Sequence, residues 1–163
     1  MKHLIFAALL VFVSCKDNKT RENDTKTDVF EESVEATHQD HDHKTTNVYT
    51  NAWINKIELN NGSKWQANAE TNEGIQKMQN SIKNQTTSTL DDYYILADML
   101  NDDKNYVIKN CTMKGASHDN LHVWFLPLIE KIEALSKANT LEEASKLKQS
   151  IEDNVNAYSN YFE

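Results

Sequence analysis

The sequence predicts an all-α fold: an up-down-up-down four-helix bundle preceded by a short hairpin or an extended strap. The chain of 163 residues contains only 3 glycines and 1 proline, whereas β-sandwiches and barrels need many turn residues. From Thr71 onward the apolar residues recur every three to four positions, which is the period of an amphipathic helix. The breaks between these stretches are short, and short loops make neighbouring helices antiparallel.

Residues 1–14 are predicted to be the signal peptide of a lipoprotein. A short basic start precedes a ten-residue apolar run, which has the length of a signal-peptide core and is too short to span a bilayer. Ser14 and Cys15 follow, and a small residue before a cysteine at this point resembles the lipobox of bacterial lipoproteins. In that family the signal is cut before the cysteine, which becomes the lipidated N-terminus. Phe12 stands where the family usually has leucine, and the alternatives are an ordinary secretory signal with an accidental cysteine or a buried amphipathic start.

Residues 15–47 are predicted to be a disordered tether that contains acidic residues and histidines. The stretch is polar and mixed in charge, with Val29, Phe30 and Val34 as its few large apolar residues, so it cannot bury enough apolar surface to offset chain entropy. Lipid on Cys15 would hold the protein at a bacterial membrane. We therefore expect the folded domain to lie in the cell envelope, in the periplasm or on the cell surface.

Residues 48–163 are predicted to form the bundle domain. In its first part, Asn60 to Ser63 form a turn sequence that predicts either a small hairpin or a bend in an extended strap. Two strands alone are marginally stable, so the apolar side chains of this part have to dock on the helices. The first helix begins near Thr71, and a capping box of Thr89 and Asp92 predicts the start of the second helix.

The third and fourth helices follow a second break. Gly115 is predicted as a helix C-terminus and Ser117 as the N-cap of the third helix. Pro127 predicts a bend in that helix and a freed carbonyl at Val123, because the apolar stripe continues in phase through the proline. The alternative is a separate helix that starts at Pro127. A capping box that starts with Thr140 predicts the fourth helix.

The charge balance and the missing motifs exclude several classes of protein. With 17 Lys and Arg against 25 Asp and Glu, the net charge is −8, and the basic surface of a nucleic-acid binder is absent from the composition. The chain contains neither a P-loop nor a GxGxxG pattern. No reaction is indicated, so we expect no enzymatic activity. The expected partners are a membrane, through the lipid, and another envelope protein.

The candidate site is a Cys/His segment between the second and third helices. His118 and His122 are four residues apart, so both rings project from one face of the third helix, at the border of the apolar stripe. Cys111 ends the second helix, and the turn that contains Met113 brings it back toward the third. Two imidazoles, a thiolate and a thioether form a soft ligand set that suits copper, with zinc as the competitor if Met113 is not used.

Other interpretations of this segment remain open. Cys111 is the only thiol left once Cys15 carries lipid, and such a cysteine can be buried and inert, with both histidines merely hydrogen-bonded. The protein would then be an unliganded helical module that binds an envelope protein through an exposed apolar patch. Asp119 completes an H-D-x-x-H pattern close to the H-E-x-x-H of zinc proteases, but Asp is shorter than Glu and no third ligand follows.

Two weaker ligand sets lie elsewhere in the chain. His38, His41 and His43 belong to a His/Asp tract that can hold divalent ions weakly and could collect metal for the main site. Met78 and Met99 matter only for a third option, non-covalent haem held between a histidine and a methionine of the bundle. Covalent haem is excluded because the chain has no CxxCH sequence.

Three segments together resemble a family of small, uncharacterised helical bacterial lipoproteins. They are residues 59–65 (LNNGSKW), 71–75 (TNEGI) and 111–122 (CTMKGASHDNLH). The likeness covers most of residues 56–130. The resemblance implies no established activity, but it implies that the Cys/His segment is a unit.

Overall fold

The computed structural model of the chain describes residues 47–163. The predicted signal peptide, the lipidation site Cys15 and the histidine tract of His38, His41 and His43 lie outside the described residues. The boundaries proposed for the signal peptide and the tether therefore stay predictions.

The described part is all-helical, as the sequence predicts. Four helices follow one another: α1 (Ala69–Asn84), α2 (Leu90–Asn110), α3 (Ala116–Leu135) and α4 (Leu141–Ala157). Each helix packs against the next in sequence, and α1 also packs against α4, so the arrangement is compatible with a closed four-helix bundle. Within residues 47–163, no helix is both long enough and apolar enough to cross a bilayer.

The residues before α1 form a strap that packs on the bundle. A single-turn 3-10 helix, Ala52–Asn55, contacts α3 and buries Trp53. The predicted turn is present: Asn60 and Ser63 exchange two backbone hydrogen bonds of 2.9 and 3.0 Å, and the two residues between them have positive φ. The hairpin is limited to this turn, and the chain continues as an extended strap.

The strap ends against the C-terminus of the chain. The backbone N–H of Trp65 donates to the carbonyl of Tyr161 at 2.8 Å, and the N–H of Glu163 donates to the carbonyl of Trp65 at 2.9 Å. Ala67 donates to the carbonyl of Glu163 at 2.9 Å. These bonds satisfy backbone groups that no helix pairs, and they fix the position from which α1 starts.

The core is built from the apolar stripes that the sequence predicts. Each helix contributes fully buried side chains, among them Met78, Leu96, Leu100, Leu128, Leu147 and Ile151. The strap and the C-terminus add Trp53, Ile57, Tyr158 and Phe162. Burial of each large apolar side chain contributes about 1.5–3 kcal/mol, which helps to offset the entropy lost on ordering the domain.

Several predicted helix ends are confirmed. Thr89 and Asp92 form the reciprocal capping box at the start of α2. Thr140 caps α4 by accepting from the N–H of Glu143, although the Glu143 carboxylate accepts from Asn139 rather than from Thr140. The capping box predicted at Thr140 therefore forms only one of its two hydrogen bonds.

The prediction for Gly115 and Ser117 is wrong. Helix α2 ends at Asn110 with Cys111 as its C-cap, and Gly115 is the N-cap of α3 with φ of 60°. The chain reverses there because glycine adopts this backbone conformation without a steric cost. Ser117 lies in the first turn of α3, where its hydroxyl donates to the carbonyl of Lys114 at 3.1 Å.

Pro127 lies inside α3, which runs through it as one helix. The choice of one helix over two is therefore confirmed, and the alternative of a new helix starting at Pro127 is wrong. The ring removes the N–H that would donate to the carbonyl of Val123. The bend at this point stays a prediction.

Candidate functional site

The connection between α2 and α3 carries the predicted Cys/His site. Cys111 is the C-cap of α2, and its N–H closes the last turn by donating to the carbonyl of Val107 at 2.9 Å. Its side chain is half-buried and packs against the core. From there the chain has no regular secondary structure until Gly115 starts α3. The loop is short, so the end of α2 and the start of α3 lie at the same end of the bundle.

Cys111 and His118 are close together. The distance from Cys111 Sγ to His118 Nδ1 is 3.7 Å, and both side chains are half-buried. Bond lengths of ~2.3 Å to sulfur and ~2.0–2.1 Å to nitrogen, at a tetrahedral or trigonal angle, separate two ligands of one ion by about 3.5–3.8 Å. The thiol and the imidazole therefore have the spacing of neighbouring ligands.

His122 lies one turn further along α3. Its ring centroid is 4.3 Å from that of His118, and the two rings are tilted by 55°. The side chain of His122 is exposed. In residues 47–163, no group of three or more His, Cys, Asp and Glu side chains is arranged to hold a metal ion. The observed geometry is thus a Cys–His pair with a second imidazole beside it.

The methionines proposed as ligands have different surroundings. Met113 is half-buried and packs against the hydrophobic core. Met78, considered for haem, is fully buried in the core, while Met99 is 37% exposed on α2. Nothing in the described residues places a thioether beside His118, so a role for Met113 as ligand stays a prediction.

Tyr158 contributes to the electrostatics around the thiol. Burial raises the pKa of Tyr158 above its usual range, and the negative charge of Cys111 adds to the shift. The Tyr158 hydroxyl donates to Asn72 Oδ1 at 2.8 Å. Near neutral pH this side chain is therefore an uncharged hydrogen-bond donor.

Asn68, at the start of α1, binds this loop, and no pattern in the sequence indicates that contact. Its Nδ2 donates to the carbonyl of Asn110 at 3.0 Å, and its Oδ1 accepts from the N–H of Thr112 at 3.3 Å. A single side chain thus binds the backbone on both sides of Cys111. An asparagine just before a helix predicts an N-cap, and nothing in the sequence relates it to residues more than forty positions away.

A buried polar network at another part of the bundle was also missed. Lys131 is 1% exposed, and its ammonium donates to the side-chain oxygens of Asn51 and Asn154 and to the carbonyl of Ser150. Burial lowers the pKa of Lys131 to about 8, and the negative charge of Asp153 opposes this only in part. The sequence contains one feature that indicates such a network. Asn154 lies between Ile151 and Val155 at a core-facing position of α4, where a polar side chain needs a buried partner.

Two of the cavities in the part of the chain that the structure describes lie away from the Cys/His segment. One of about 290 Å³ is lined by Ala97, Asp98, Asn101, Lys104, Ile129, Ile132, Glu133 and Ser136. The other, of about 410 Å³, is lined by Gln79, Ile82, Lys83, Lys148, Glu152 and Asn156. Both linings combine acidic and basic groups with no cysteine or histidine, which does not favour a soft metal ion.

No family model, no curated protein and no solved structure matches this chain. The resemblance to small helical lipoproteins therefore rests on the segments quoted above.

Proposed function

We propose that the protein is a lipid-anchored protein of the bacterial cell envelope that buffers or delivers a soft transition metal, copper or zinc. The ligands in this proposal are Cys111, His118 and His122. The observation that carries it is the 3.7 Å distance between Cys111 Sγ and His118 Nδ1, which matches the spacing of two ligands on one ion.

The second histidine supports the same chemistry. His122 is exposed and adjacent to His118, so its ring can rotate toward a shared ion without repacking the core. A thiolate with two imidazoles forms a trigonal site for Cu(I), or a zinc site whose fourth position is filled by Met113 or water. Binding requires a deprotonated thiol and neutral imidazoles, so the affinity for metal should fall as the pH drops through the histidine range.

The proposed anchor and tether suit an exchange function. The ion would lie at one end of the bundle with one exposed ligand, His122, which a partner or the histidine tract can approach. His38, His41 and His43 would then act as weak collectors on the tether. Lipid on Cys15 would keep the protein at the membrane.

The test is metal titration of the purified lipidated protein in detergent. Wild type should bind one equivalent of Cu(I) or Zn(II), and its melting temperature should rise; at a hundredfold excess over Kd the gain is about 2.7 kcal/mol. The double variant His118→Ala/His122→Ala should lose the rise. A matched triple variant, His38→Ala/His41→Ala/His43→Ala, should keep it. The proposal fails if wild type gains no stability, or if the double variant gains as much.

One observation favours a second candidate function, the docking of another envelope protein. Ile95 and Met99 are 51% and 37% exposed and lie one turn apart on the same face of α2. Two such side chains cover less than the few hundred Å² that mark an interaction surface, so the metal proposal is preferred. Binding of an envelope protein that Ile95→Lys abolishes and His118→Ala leaves intact would favour the second function.

A further inference from the structure

The side chain of Asn68 connects the start of α1 to the two peptide groups that flank Cys111. The carbonyl of Asn110 belongs to the peptide bond before Cys111, and it accepts from Asn68 Nδ2 at 3.0 Å. The N–H of Thr112 belongs to the peptide bond after Cys111, and it donates to Asn68 Oδ1 at 3.3 Å. Anchoring both peptide planes restrains the φ and ψ of Cys111, which are −67° and 121°.

Asn68 makes these bonds in place of its ordinary local one. It is the N-cap of α1, and an asparagine there normally accepts from a backbone N–H of the first turn. In this chain the side chain makes no such bond. Its Oδ1 accepts from the buried hydroxyl of Thr71 at 2.6 Å, which holds the amide in the orientation that meets the loop.

We propose that Asn68 is a positioning residue for the metal site: it fixes the backbone of Cys111 so that the thiol points toward His118. This inference rests on the proposed function. Helix ends fray, and Cys111 lies just after a helix and before a loop without regular secondary structure. Without the two bonds to Asn68, the direction of its Cα–Cβ bond would therefore vary. Ligands have to be held to within about 0.5 Å for productive binding, so restraint of the backbone preorganises the site.

The inference predicts a loss of metal affinity that exceeds the loss of fold. Loss of an outer-shell partner typically weakens metal binding by about 10–100-fold. Asn68→Gly is the sharpest variant, because glycine is well tolerated at an N-cap while both contacts with the loop are removed. It also removes the acceptor of the buried Thr71 hydroxyl, so its melting temperature is expected to fall as well. Asn68→Asp keeps the acceptor for Thr112 but loses the donor to Asn110, so its affinity should lie between those of wild type and Asn68→Gly.

Ser81→Ala is the matched control. The Ser81 hydroxyl also joins α1 to α2, by donating to Asp103 Oδ2 at 2.8 Å, but it contacts neither neighbour of Cys111. It is expected to lower the melting temperature through the loss of one hydrogen bond between these helices. Since the backbone of Cys111 is untouched, the affinity for metal should stay at the wild-type value.

The experiment uses the full lipidated chain and Co(II) as the probe of a zinc-type site. Titration measures the affinity, and the thiolate-to-cobalt charge-transfer band reports directly on the bond to Cys111. We expect Asn68→Gly to weaken Co(II) binding by about 10–100-fold and to weaken or shift that band. The helical circular dichroism should be retained. A wild-type affinity and band in Asn68→Gly would overturn the inference, while Co(II) binding by wild type would leave the proposed function standing.

A metal-free measurement separates failure of the inference from failure of the proposed function. The rate at which iodoacetamide alkylates Cys111, followed by mass spectrometry of its peptide, should rise in Asn68→Gly and stay unchanged in Ser81→Ala. If wild type binds no Co(II), Zn(II) or Cu(I), the proposed function is wrong. The alkylation rate of Cys111 then tests by itself whether Asn68 restrains the thiol. An equal rate in wild type and Asn68→Gly would show that it does not.

Discussion

Lys131 is the only charged side chain that is fully enclosed among residues 47–163. Removing an ammonium group from water costs several kcal/mol unless it is paired and hydrogen-bonded. Its three N–H groups have three acceptors, on Asn51, Asn154 and Ser150, but all three are uncharged. The hydrogen bonds are therefore satisfied while the charge is not neutralised, and this is the physical cause of the lowered pKa.

The first prediction follows from the sign of that shift. The pKa of Lys131 falls from 10.5 to about 8 in the folded protein, so between these values the unfolded chain binds the extra proton. Stability then rises with pH. We expect the free energy of unfolding to increase by roughly 2 kcal/mol between about pH 7.5 and 9.5, measured by urea denaturation. The range stops at about pH 9.5 because the pKa of Tyr158 is raised in the folded protein. At higher pH this tyrosine ionises in the unfolded chain first, which lowers the free energy of unfolding.

Lys131→Met is the control for this pH dependence. Its absolute stability can move either way, because the buried charge is removed while Asn51 and Asn154 lose their donor. The informative quantity is the slope, which should be flat in this window. A wild-type protein with the same slope as Lys131→Met would contradict the lowered pKa.

At the scale of residues, the sequence predicts contacts that are local and misses those that are not. The thiol and imidazole of Cys111 and His118 could be brought together because only seven positions and one turn separate them. Asn68 is 42 positions from Asn110, and Lys131 is 80 positions from Asn51. No periodicity in the sequence relates such residues, since their contacts depend on the relative rotation and height of packed helices.

At the scale of elements, helices α1 and α2 approach each other closely at Gly74. A Cβ atom added at Gly74 would lie 2.3 Å from Val107 Cγ2, well inside van der Waals contact. Val107 is itself fully buried and, being β-branched, has one preferred rotamer in a helix, so it cannot swing away. The missing side chain at Gly74 therefore sets the distance between the two helices, including the end of α2 that carries Cys111.

Gly74→Ala is predicted to destabilise the fold. Overpacking costs about 1–3 kcal/mol, and a 2.3 Å contact with a buried β-branched side chain places this site at the upper end of that range. The cost then exceeds the roughly 1 kcal/mol that alanine gains over glycine inside a helix. The same substitution in a Val107→Ala background should stabilise, because the clash is removed and the helix propensity remains. Denaturation of the four proteins of this double-mutant cycle measures the coupling. If Gly74→Ala instead stabilised the wild-type protein, Val107 would not lie as close to Gly74 as the structure shows.

The existence of the helices could be predicted better than their ends. The apolar stripes and the capping box of Thr89 locate all four helices because these patterns depend on neighbours within one or two turns. The error at Gly115 and Ser117 arose because glycine suits a helix C-terminus and serine an N-cap, and sequence preference alone cannot tell which end a positive φ serves. Helix α2 ends at Asn110 with Cys111 as its C-cap, as the Cys/His segment predicts, and Gly115 then begins α3.

At the scale of the whole molecule, hydrogen bonds and buried side chains hold the first described residues to the helices. Asn51 accepts from Lys131 and donates to the carbonyl of Ser150 at 3.3 Å, and Trp53 is buried beside it. Core contacts are therefore made within a few residues of Val48, and the domain boundary at that position stays a prediction. A separate attachment at Cys15 would leave these contacts untouched.

Cys15→Ser is expected to abolish membrane retention and leave the domain folded. The physical reason is that each buried CH₂ of an acyl chain contributes about 0.8 kcal/mol to membrane binding, whereas the acidic chain, with a net charge of −8, is repelled by anionic lipid. No core residue of the described part precedes Val48, so circular dichroism and the melting temperature of the released protein should match those of wild type. Cys111→Ser, which replaces the chain's other cysteine, is the matched control and should remain in the membrane fraction. Cys15→Ser protein that has lost residues 1–14, as checked by mass spectrometry, and still sediments with membranes after a high-salt wash would refute the lipid anchor, and with it the placement of the proposed metal site at a membrane surface.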